Sequence, residues 1–159
     1  MTRQIFYSFH FANDVMRVQQ IRNIGVIEGN RPVTPNKWEE IKRGGVIAIE
    51  EWIDQKINYA SCVVVLIGSG TSQSRWLKYE IKKAWNEGKG LVGIRIHNLK
   101  DPRTGISTKG VNPFDNFNVN GIKLSKFVKT YDPGFNAYSW IQNHINTVVE
   151  EAIRLRNNS

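Results

Sequence analysis

The chain has 159 residues, of which 40% are hydrophobic and 23% are charged, and its formal net charge is +8. This length and composition are typical of one globular domain with a sizeable core, so we treat residues 1–159 as a single domain. The longest apolar run is far shorter than the roughly 20 residues that span a bilayer, and the lone cysteine, Cys62, excludes a disulfide within the chain.

The first part of the chain alternates apolar segments with turn residues. Ile5–Phe9 is a short apolar and aromatic run that predicts the first strand, and Asn13 is a suitable N-cap for a following helix. A weaker second strand is predicted at Ile24–Glu28. Asn36 and Glu39 then resemble a capping pair. They precede a short helix and, after Gly44 and Gly45, a longer helix with apolar residues at helical spacing: Val46, Ile49, Trp52, Ile53 and Ile57. We interpret Trp38 and Trp52 as core or rim residues.

The central stretch, 61–88, gives the strongest signal in the chain. Cys62–Ile67 is continuously apolar and rich in valine, which predicts a strand buried on both faces of a parallel sheet. A loop of small polar residues follows, and a helix is predicted from about Arg75 to Glu87, with Gly88 ending it. In open parallel sheets, ligands bind beyond the carboxyl ends of the strands, where this loop is expected.

Glu80 is the candidate functional residue of this helix. Residues four apart are neighbours on a helix, so Trp76, Glu80 and Ala84 form a row beside the apolar row of Leu77, Ile81 and Trp85. Glu80 therefore borders the buried stripe, where a carboxylate beside an indole could face a ligand. The alternative is a solvated glutamate that pairs with Lys83.

The last part of the chain contains two more predicted strands and a long helix. Leu91–Ile96 and Lys126–Tyr131 are the predicted strands, and the segment between them, 98–120, is long and irregular. Ser139 and Gln142 form a capping box for the final helix. The alternation of strands and helices predicts an α/β fold with three layers. We expect a flavodoxin-like five-stranded parallel sheet in the order 2-1-3-4-5.

Several kinds of site are not supported by the sequence. The three histidines, His10, His97 and His144, lack the spacing of metal ligands, so no metal or cofactor is expected. The basic residues are scattered, and we expect neither a nucleic-acid nor a membrane partner. Dinucleotide-fold, P-loop and nucleophile-elbow motifs are absent. With no signal-peptide pattern and a buried lone cysteine, a cytoplasmic location is expected.

Several segments of the chain resemble a known family. VVVLIGSGTSQSRWLKYEI resembles the third strand, loop and helix of TIR domains, in which a small-residue loop precedes S-x-W-x-x-x-E, here Ser74, Trp76 and Glu80. IFYSFHF resembles the first TIR strand. Together with GIRIHNLKD and KGVNPFD, these segments are similar to the TIR-like subunit of bacterial Thoeris anti-phage systems.

The resemblance implies an enzyme whose substrate is NAD. It implies cleavage of the nicotinamide–ribose bond, after which the ADP-ribose part becomes a signal nucleotide, expected to be cyclic, that activates an effector protein. Glu80 falls on the catalytic glutamate, and Trp76, Phe9, His10 and Ser69 are expected to ring the same cleft. A need for activation or self-association is also implied. Two alternatives remain open: a non-catalytic TIR interaction module, and an enzyme resembling nucleoside deoxyribosyltransferases.

Overall fold

The computed structural model describes residues 4–22 and 33–158. The strands are β1 (Ile5–Phe9), β2 (Cys62–Ile67), β3 (Gly90–Arg95), β4 (Asn118–Val119), β5 (Ile122–Lys123) and β6 (Thr130–Tyr131). The helices are α1 (Phe11–Arg22), α2 (Pro35–Lys42), α3 (Gly45–Tyr59), α4 (Arg75–Asn86) and α5 (Ala137–Asn157). A bilayer-spanning helix is not found anywhere in residues 4–22 or 33–158.

A parallel sheet forms the middle layer of the fold. Its described strands follow the order β1-β2-β3-β6, and every pair is parallel. The predicted second strand, Ile24–Glu28, lies outside the described residues, so the sheet has four described strands rather than the five expected. The four share the order expected for the first, third, fourth and fifth strands, and the α/β fold class is confirmed.

Each face of the sheet carries its own apolar core. All six residues of β2 are buried, and because side chains alternate along a strand they serve both cores. Cys62, Val64 and Leu66 pack with α1 and α5, whereas Val63, Val65 and Ile67 pack with α3 and α4. The continuous apolar run of β2 is thus the direct cause of its central position.

The helix ends differ from several sequence predictions. Asn13 is not the N-cap of α1, because the helix already begins at Phe11. The Asn36–Glu39 pair does not cap α2; instead Thr34 accepts a hydrogen bond from the Lys37 amide (3.2 Å), and Pro35 opens the helix. Ser139 lies inside the first turn of α5, whose N-cap is Asn136. The last strand is shorter than expected, because a 3₁₀ turn covers Leu124–Lys126 and the Phe127 and Val128 amides bond back to Leu124 O.

The central strand–loop–helix unit matches the prediction closely. Ser74 caps α4 by accepting a hydrogen bond from the Leu77 amide (3.4 Å). Gly88 follows the helix with φ +74°, the conformation that favours glycine at this position. In the parallel register, Phe9 of β1 lies opposite Leu66 of β2, so both strands end at the same level. The residues after β1 and β2 therefore meet at one edge of the sheet, which is where a ligand is expected.

Candidate active site

A cleft of about 350 Å³ lies beside β1, between the α2–α3 pair and the N-terminal half of α4. β1 and the start of α1 contribute Phe6, Tyr7, Phe9, His10, Phe11 and Ala12 to its lining. The opposite walls consist of Val33, Trp38, Lys42 and Trp52 on one side and Gln73, Ser74, Arg75, Trp76 and Glu80 on the other. The lining is mainly apolar and aromatic with few polar groups, as in most small-molecule sites.

Glu80 is buried in this cleft. Its exposed fraction is 5%, because Leu77, Ile81 and Ala84 of the same helix face turn toward the sheet and take Glu80 with them. Ser8 Oγ, on β1, donates a hydrogen bond to Glu80 Oε1 (2.7 Å). Among the described residues no donor bonds to the second carboxylate oxygen, Oε2, which leaves that oxygen for a ligand in the cleft.

The surroundings of Glu80 favour its neutral form. Burial raises the pKa of Glu80 to about 8, and the hydrogen bond from Ser8 opposes that rise only in part. Lys83 does not pair with Glu80. Its ammonium contacts Asp54 (3.6 Å) and Glu87 (3.2 Å) instead. The alternative of a solvated helical Glu80–Lys83 pair is therefore wrong, and a buried carboxyl group with a strongly raised pKa is a recognised sign of a functional site.

Trp76, Phe9 and His10 line the same cleft as Glu80. Trp76 lies one helical turn before Glu80, and the Arg75 guanidinium covers its ring at 4.8 Å from the centroid. The Phe9 ring packs against Phe11 with centroids 5.7 Å apart. His10 Nδ1 is buried and has no hydrogen-bond partner in the described part of the chain. The structure thus brings four of the five predicted site residues together.

Comparison with known proteins identifies the family of this chain. Residues 6–101 match the family model described as "Thoeris protein ThsB, TIR-like domain". The chain belongs to the ThsB TIR-like family. A relative from Bacillus cereus (strain MSX-D12), named "Putative cyclic ADP-D-ribose synthase ThsB1", is 37% identical over 120 residues. That alignment covers 72% of this chain and 62% of the relative, so the chain spans less than two thirds of the relative's length. The matched region includes all five predicted site residues.

Ser69 is the predicted site residue that the structure does not bring into the cleft. It is exposed and is not among the lining residues. Two segments pack against the backbone of the loop that contains Ser69. A side chain at Gly110 would meet Gly68 O and the Ser69 backbone, and one at Gly68 would collide with the Asp14 carboxylate. The start of the loop after β2 thus packs between α1 and the segment around Gly110, whereas Gln73 and Ser74 at its end line the cleft.

Two helices of this TIR-like domain supply cleft residues that sequence reasoning missed. Trp38 and Trp52 lie in the cleft wall, and an aromatic series runs from Phe11 through Trp38 (5.6 Å between centroids) to Trp52 (6.2 Å) and Phe6 (5.6 Å). The two tryptophans lie in different helices, so no spacing in the sequence links them. Ser8 was also missed, although its position as a polar residue inside an apolar strand is a signal that could have revealed it.

Metal chemistry has no visible support in the part of the chain that the structure describes. No cluster of three or more histidine, cysteine, aspartate or glutamate side chains there could hold a metal ion. Among the described residues that line the cleft, Glu80 is the single acidic one. The site can therefore offer a ligand aromatic faces, one buried carboxyl group and the cations of Lys42 and Arg75.

Proposed function

We propose that this TIR-like chain cleaves the bond between nicotinamide and ribose in NAD. The single observation that carries the proposal is Glu80, a carboxyl group buried in an aromatic cleft with one oxygen held by Ser8 and the other left for a ligand. The name of the Bacillus cereus relative supports a product derived from ADP-ribose. As in glycoside hydrolysis, loss of the leaving group produces a ribose with oxocarbenium character, which a nearby carboxylate stabilises.

The raised pKa of Glu80 fits this chemistry when the substrate is considered. In the empty cleft the carboxyl group is largely protonated at neutral pH, because its pKa is about 8. The nicotinamide ring of NAD carries a positive charge while it is attached to ribose, and a nearby opposite charge favours the ionised carboxylate. Substrate binding thus promotes loss of the Glu80 proton. The carboxylate then faces the charge that develops on the ribose, while nicotinamide leaves as a neutral ring.

The ribose cation must next be captured by a nucleophile. Water would give ADP-ribose, and a nucleophilic atom of the substrate's own ADP part would give a cyclic nucleotide. We propose the cyclic product, which then acts as a signal nucleotide for an effector protein in anti-phage defence within the cytoplasm. Mass spectrometry of lysates from phage-infected cells that express the protein, compared with cells that express Glu80→Gln, tests this by showing whether a new nucleotide accumulates.

Incubation with NAD followed by chromatography tests the cleavage step. Wild-type protein is expected to release nicotinamide, and Glu80→Gln is expected to lower the rate by about a hundredfold or more, because it removes the carboxylate charge. Glu87→Gln is the matched control, since Glu87 follows the same helix, is partly exposed and pairs with Lys83. Equal release by wild type and Glu80→Gln would show that Glu80 does not carry the reaction.

A non-catalytic interaction module is the alternative that this comparison separates. Such a module has no use for a carboxyl group buried beside an open cleft, where burial disfavours its ionised form. Absence of nicotinamide release from wild type, with and without infected-cell extract, would favour the module. Deoxynucleosides offered with a free acceptor base in place of NAD test the resemblance to deoxyribosyltransferases. Transfer of deoxyribose to that base would support this hypothesis.

Self-association is part of the proposal, because constant NAD cleavage would harm the host cell. We expect the dilute protein to be slow and the rate per protomer to rise with protein concentration or with extract from infected cells. Rapid turnover by a monomer at every concentration would contradict this expectation. Analytical ultracentrifugation alongside the rate measurement shows which form is active.

A further inference from the structure

Capture of the ribose by a nucleophile requires an acceptor for a proton. If the nucleophile is water or a hydroxyl group of the substrate, its oxygen bonds to the ribose carbon and the O–H proton has to leave. Glu80 is already engaged, because its carboxylate is proposed to stabilise the charge on the ribose. Among the described residues that line the cleft, His10 is the single imidazole, the side chain that most often accepts a proton near neutral pH.

The two ring nitrogens of His10 have different surroundings. Nδ1 is buried and has no hydrogen-bond partner among the described residues. Nε2 is not one of the buried unpartnered atoms, and because His10 lines the cleft, Nε2 is the nitrogen that a ligand there can reach. In a neutral imidazole one nitrogen carries the proton and the other accepts. Nε2 can therefore act as a base only when the proton is on Nδ1.

The side chain of Asp14 lies close to the buried side of His10. The Asp14 amide donates to His10 O (3.0 Å), so the two residues are one helical turn apart. Both side chains face the glycine-containing loop after β2. A side chain at Gly68 would collide with the Asp14 carboxylate, and a Cβ at Gly70 would lie 3.6 Å from His10 Nδ1. His10 thus enters the cleft from a polar contact region between α1 and this loop.

The Asp14 carboxylate has one oxygen to offer His10. Asp14 is fully buried, and Arg17 donates to its Oδ1 (3.2 Å), whereas Oδ2 has no partner in the described part of the chain. Burial raises the pKa of Asp14, and the charges of Arg17 and His10 oppose that rise, which agrees with a short separation from the imidazole. Neighbouring buried polar atoms usually satisfy each other, directly or through one water molecule.

From this we propose that His10 Nε2 is the base that accepts the proton of a hydroxyl nucleophile, and that Asp14 positions the ring by binding its Nδ1–H. The bond between ribose and nicotinamide breaks, and its electron pair leaves with nicotinamide. A lone pair of the hydroxyl oxygen forms the new bond to the ribose, and the O–H proton moves to Nε2. The resulting imidazolium is stabilised by Asp14 and later returns the proton to water. This inference rests on the proposed function and adds the base for its second step.

A nucleophile that has no proton to lose tests the role of His10. The ring nitrogen of 3-acetylpyridine attacks the ribose without releasing a proton, and it gives a dinucleotide that chromatography separates from ADP-ribose and from a cyclic product. Under the conditions in which wild type releases nicotinamide, His10→Asn is expected to raise the ratio of pyridine capture to hydroxyl capture by about tenfold or more, because only hydroxyl capture needs the base. Glu80→Gln is expected to lower both products together, by about a hundredfold or more.

Matched variants separate the base from a change in the shape of the cleft. Phe9→Leu alters a neighbouring lining residue without removing a base, so it should keep the wild-type ratio. Asp14→Asn should raise the ratio in the same direction as His10→Asn, but by a smaller factor, because the imidazole remains. Asp101→Asn is the control for Asp14, since Asp101 is also buried but bonds to Arg103 instead, and it should keep the wild-type ratio.

Nitrogen-15 NMR of the histidine rings tests the positioning role without any turnover. At about pH 8, where imidazole is ordinarily neutral, His10 of wild type should carry its proton on Nδ1, and Asp14→Asn should shift the ring toward the Nε2–H form. The His10→Asn spectrum identifies the signals. This measurement also decides the matter if Asp14→Asn loses its folded circular-dichroism spectrum, because the wild-type ring alone shows which nitrogen is protonated.

The outcomes distinguish this inference from the proposed function. A wild-type His10 ring with its proton on Nε2, or an unchanged capture ratio in His10→Asn, would overturn the inference alone. Glu80-dependent release of nicotinamide would survive either result. If wild type releases no nicotinamide in any condition, the proposed function and the base step are both wrong.

Discussion

The buried carboxyl group of Glu80 makes the stability of the fold depend on pH. The pKa of Glu80 rises from an ordinary value of 4.5 to about 8 in the folded protein, so the folded state binds this proton more tightly than the unfolded state. The contribution of Glu80 to stability is therefore complete below about pH 4.5 and is lost as the pH rises toward 8. Above that pH the folded protein contains a buried carboxylate with one hydrogen bond, from Ser8.

Glu80→Gln should remove this pH dependence. Glutamine resembles the neutral carboxyl group, so at about pH 5 the melting temperatures of wild type and variant should agree closely. At about pH 8.5 the variant should be more stable by a few kcal/mol, which corresponds to roughly 5 to 10 °C for a domain of this size. Calorimetry at the two pH values measures the difference. The same difference at both values would show that Glu80 does not titrate in this range.

If the proposed function is right, Ser8 should set the pH at which NAD cleavage begins. Its hydroxyl lowers the pKa of Glu80 by donating to Oε1, so Ser8→Ala should raise that pKa further. The rising limb of kcat/KM against pH, which reports the free enzyme, should then move to higher pH, with recovery toward the wild-type rate in alkaline buffer. Ser139→Ala, in the first turn of α5, is the control. If the rate fell equally at every pH and the rising limb of kcat/KM did not move, Ser8 would have a different role.

At the scale of elements, local patterns identified the central unit of the fold correctly. β2 is apolar at every position, and α4 has a serine cap and a terminating glycine, so each of these elements carries its own signals. The start of α1 was misjudged because tertiary contacts determine it. Its first turn packs against the loop after β2, where a side chain at Gly68 would collide with Asp14 and one at Gly70 with Asn13.

The sequence also predicted only part of the candidate site. Glu80 and Trp76 share a helical row, so their proximity followed from the sequence. The approach of Trp38 and Trp52 to the cleft did not, because it depends on how α2 and α3 pack beside β1, a contact between segments far apart in the chain. Ser69 lies outside the cleft lining for a related reason, since the start of its loop packs against the segment around Gly110 and no local pattern reports that packing.

Arg17 connects α1 to the turn after β3. It is 4% exposed, and its guanidinium donates to Leu99 O (2.9 Å), Gly105 O (2.9 Å) and Asp14 Oδ1 (3.2 Å). Arg17→Leu should lower stability by about 3 kcal/mol or more, because it leaves the buried Asp14 carboxyl group without its cation and Leu99 O without its donor, whereas Gly105 O keeps the Asp101 amide. Thermal denaturation measures the loss, and amide exchange over 98–106 should quicken.

A double variant checks the reason for that loss. Arg17→Leu combined with Asp14→Asn removes the isolated carboxyl group and should recover about 1 kcal/mol or more relative to Arg17→Leu. Exchange in 98–106 should stay fast in the double variant, since the bonds to Leu99 and Gly105 remain absent. Slow exchange there in Arg17→Leu would show that other contacts fix the turn.

At the scale of the whole molecule, the net charge of +8 favours the approach of an anionic substrate. This long-range effect differs from any local effect of Arg75 and Lys42, which line the cleft. Lysines outside the cleft, such as Lys56 on α3 and Lys123 on β5, contribute to the field without contacting the ligand. Charges separated by more than about 10 Å are screened at ordinary ionic strength, so their influence should disappear when salt is added.

The double variant Lys56→Glu and Lys123→Glu reverses two such charges. At about 20 mM salt it should bind NAD several-fold more slowly than wild type, with an unchanged dissociation rate, because remote charges steer the encounter but make no contact in the complex. At about 200 mM salt the two association rates should converge. Arg75→Ala should instead quicken dissociation at both salt concentrations, because Arg75 lines the cleft and we expect it to contact the bound substrate. Stopped-flow tryptophan fluorescence measures both rates, because three tryptophans line the cleft. If the double variant changed dissociation as much as Arg75→Ala does, steering and contact could not be separate effects in this protein.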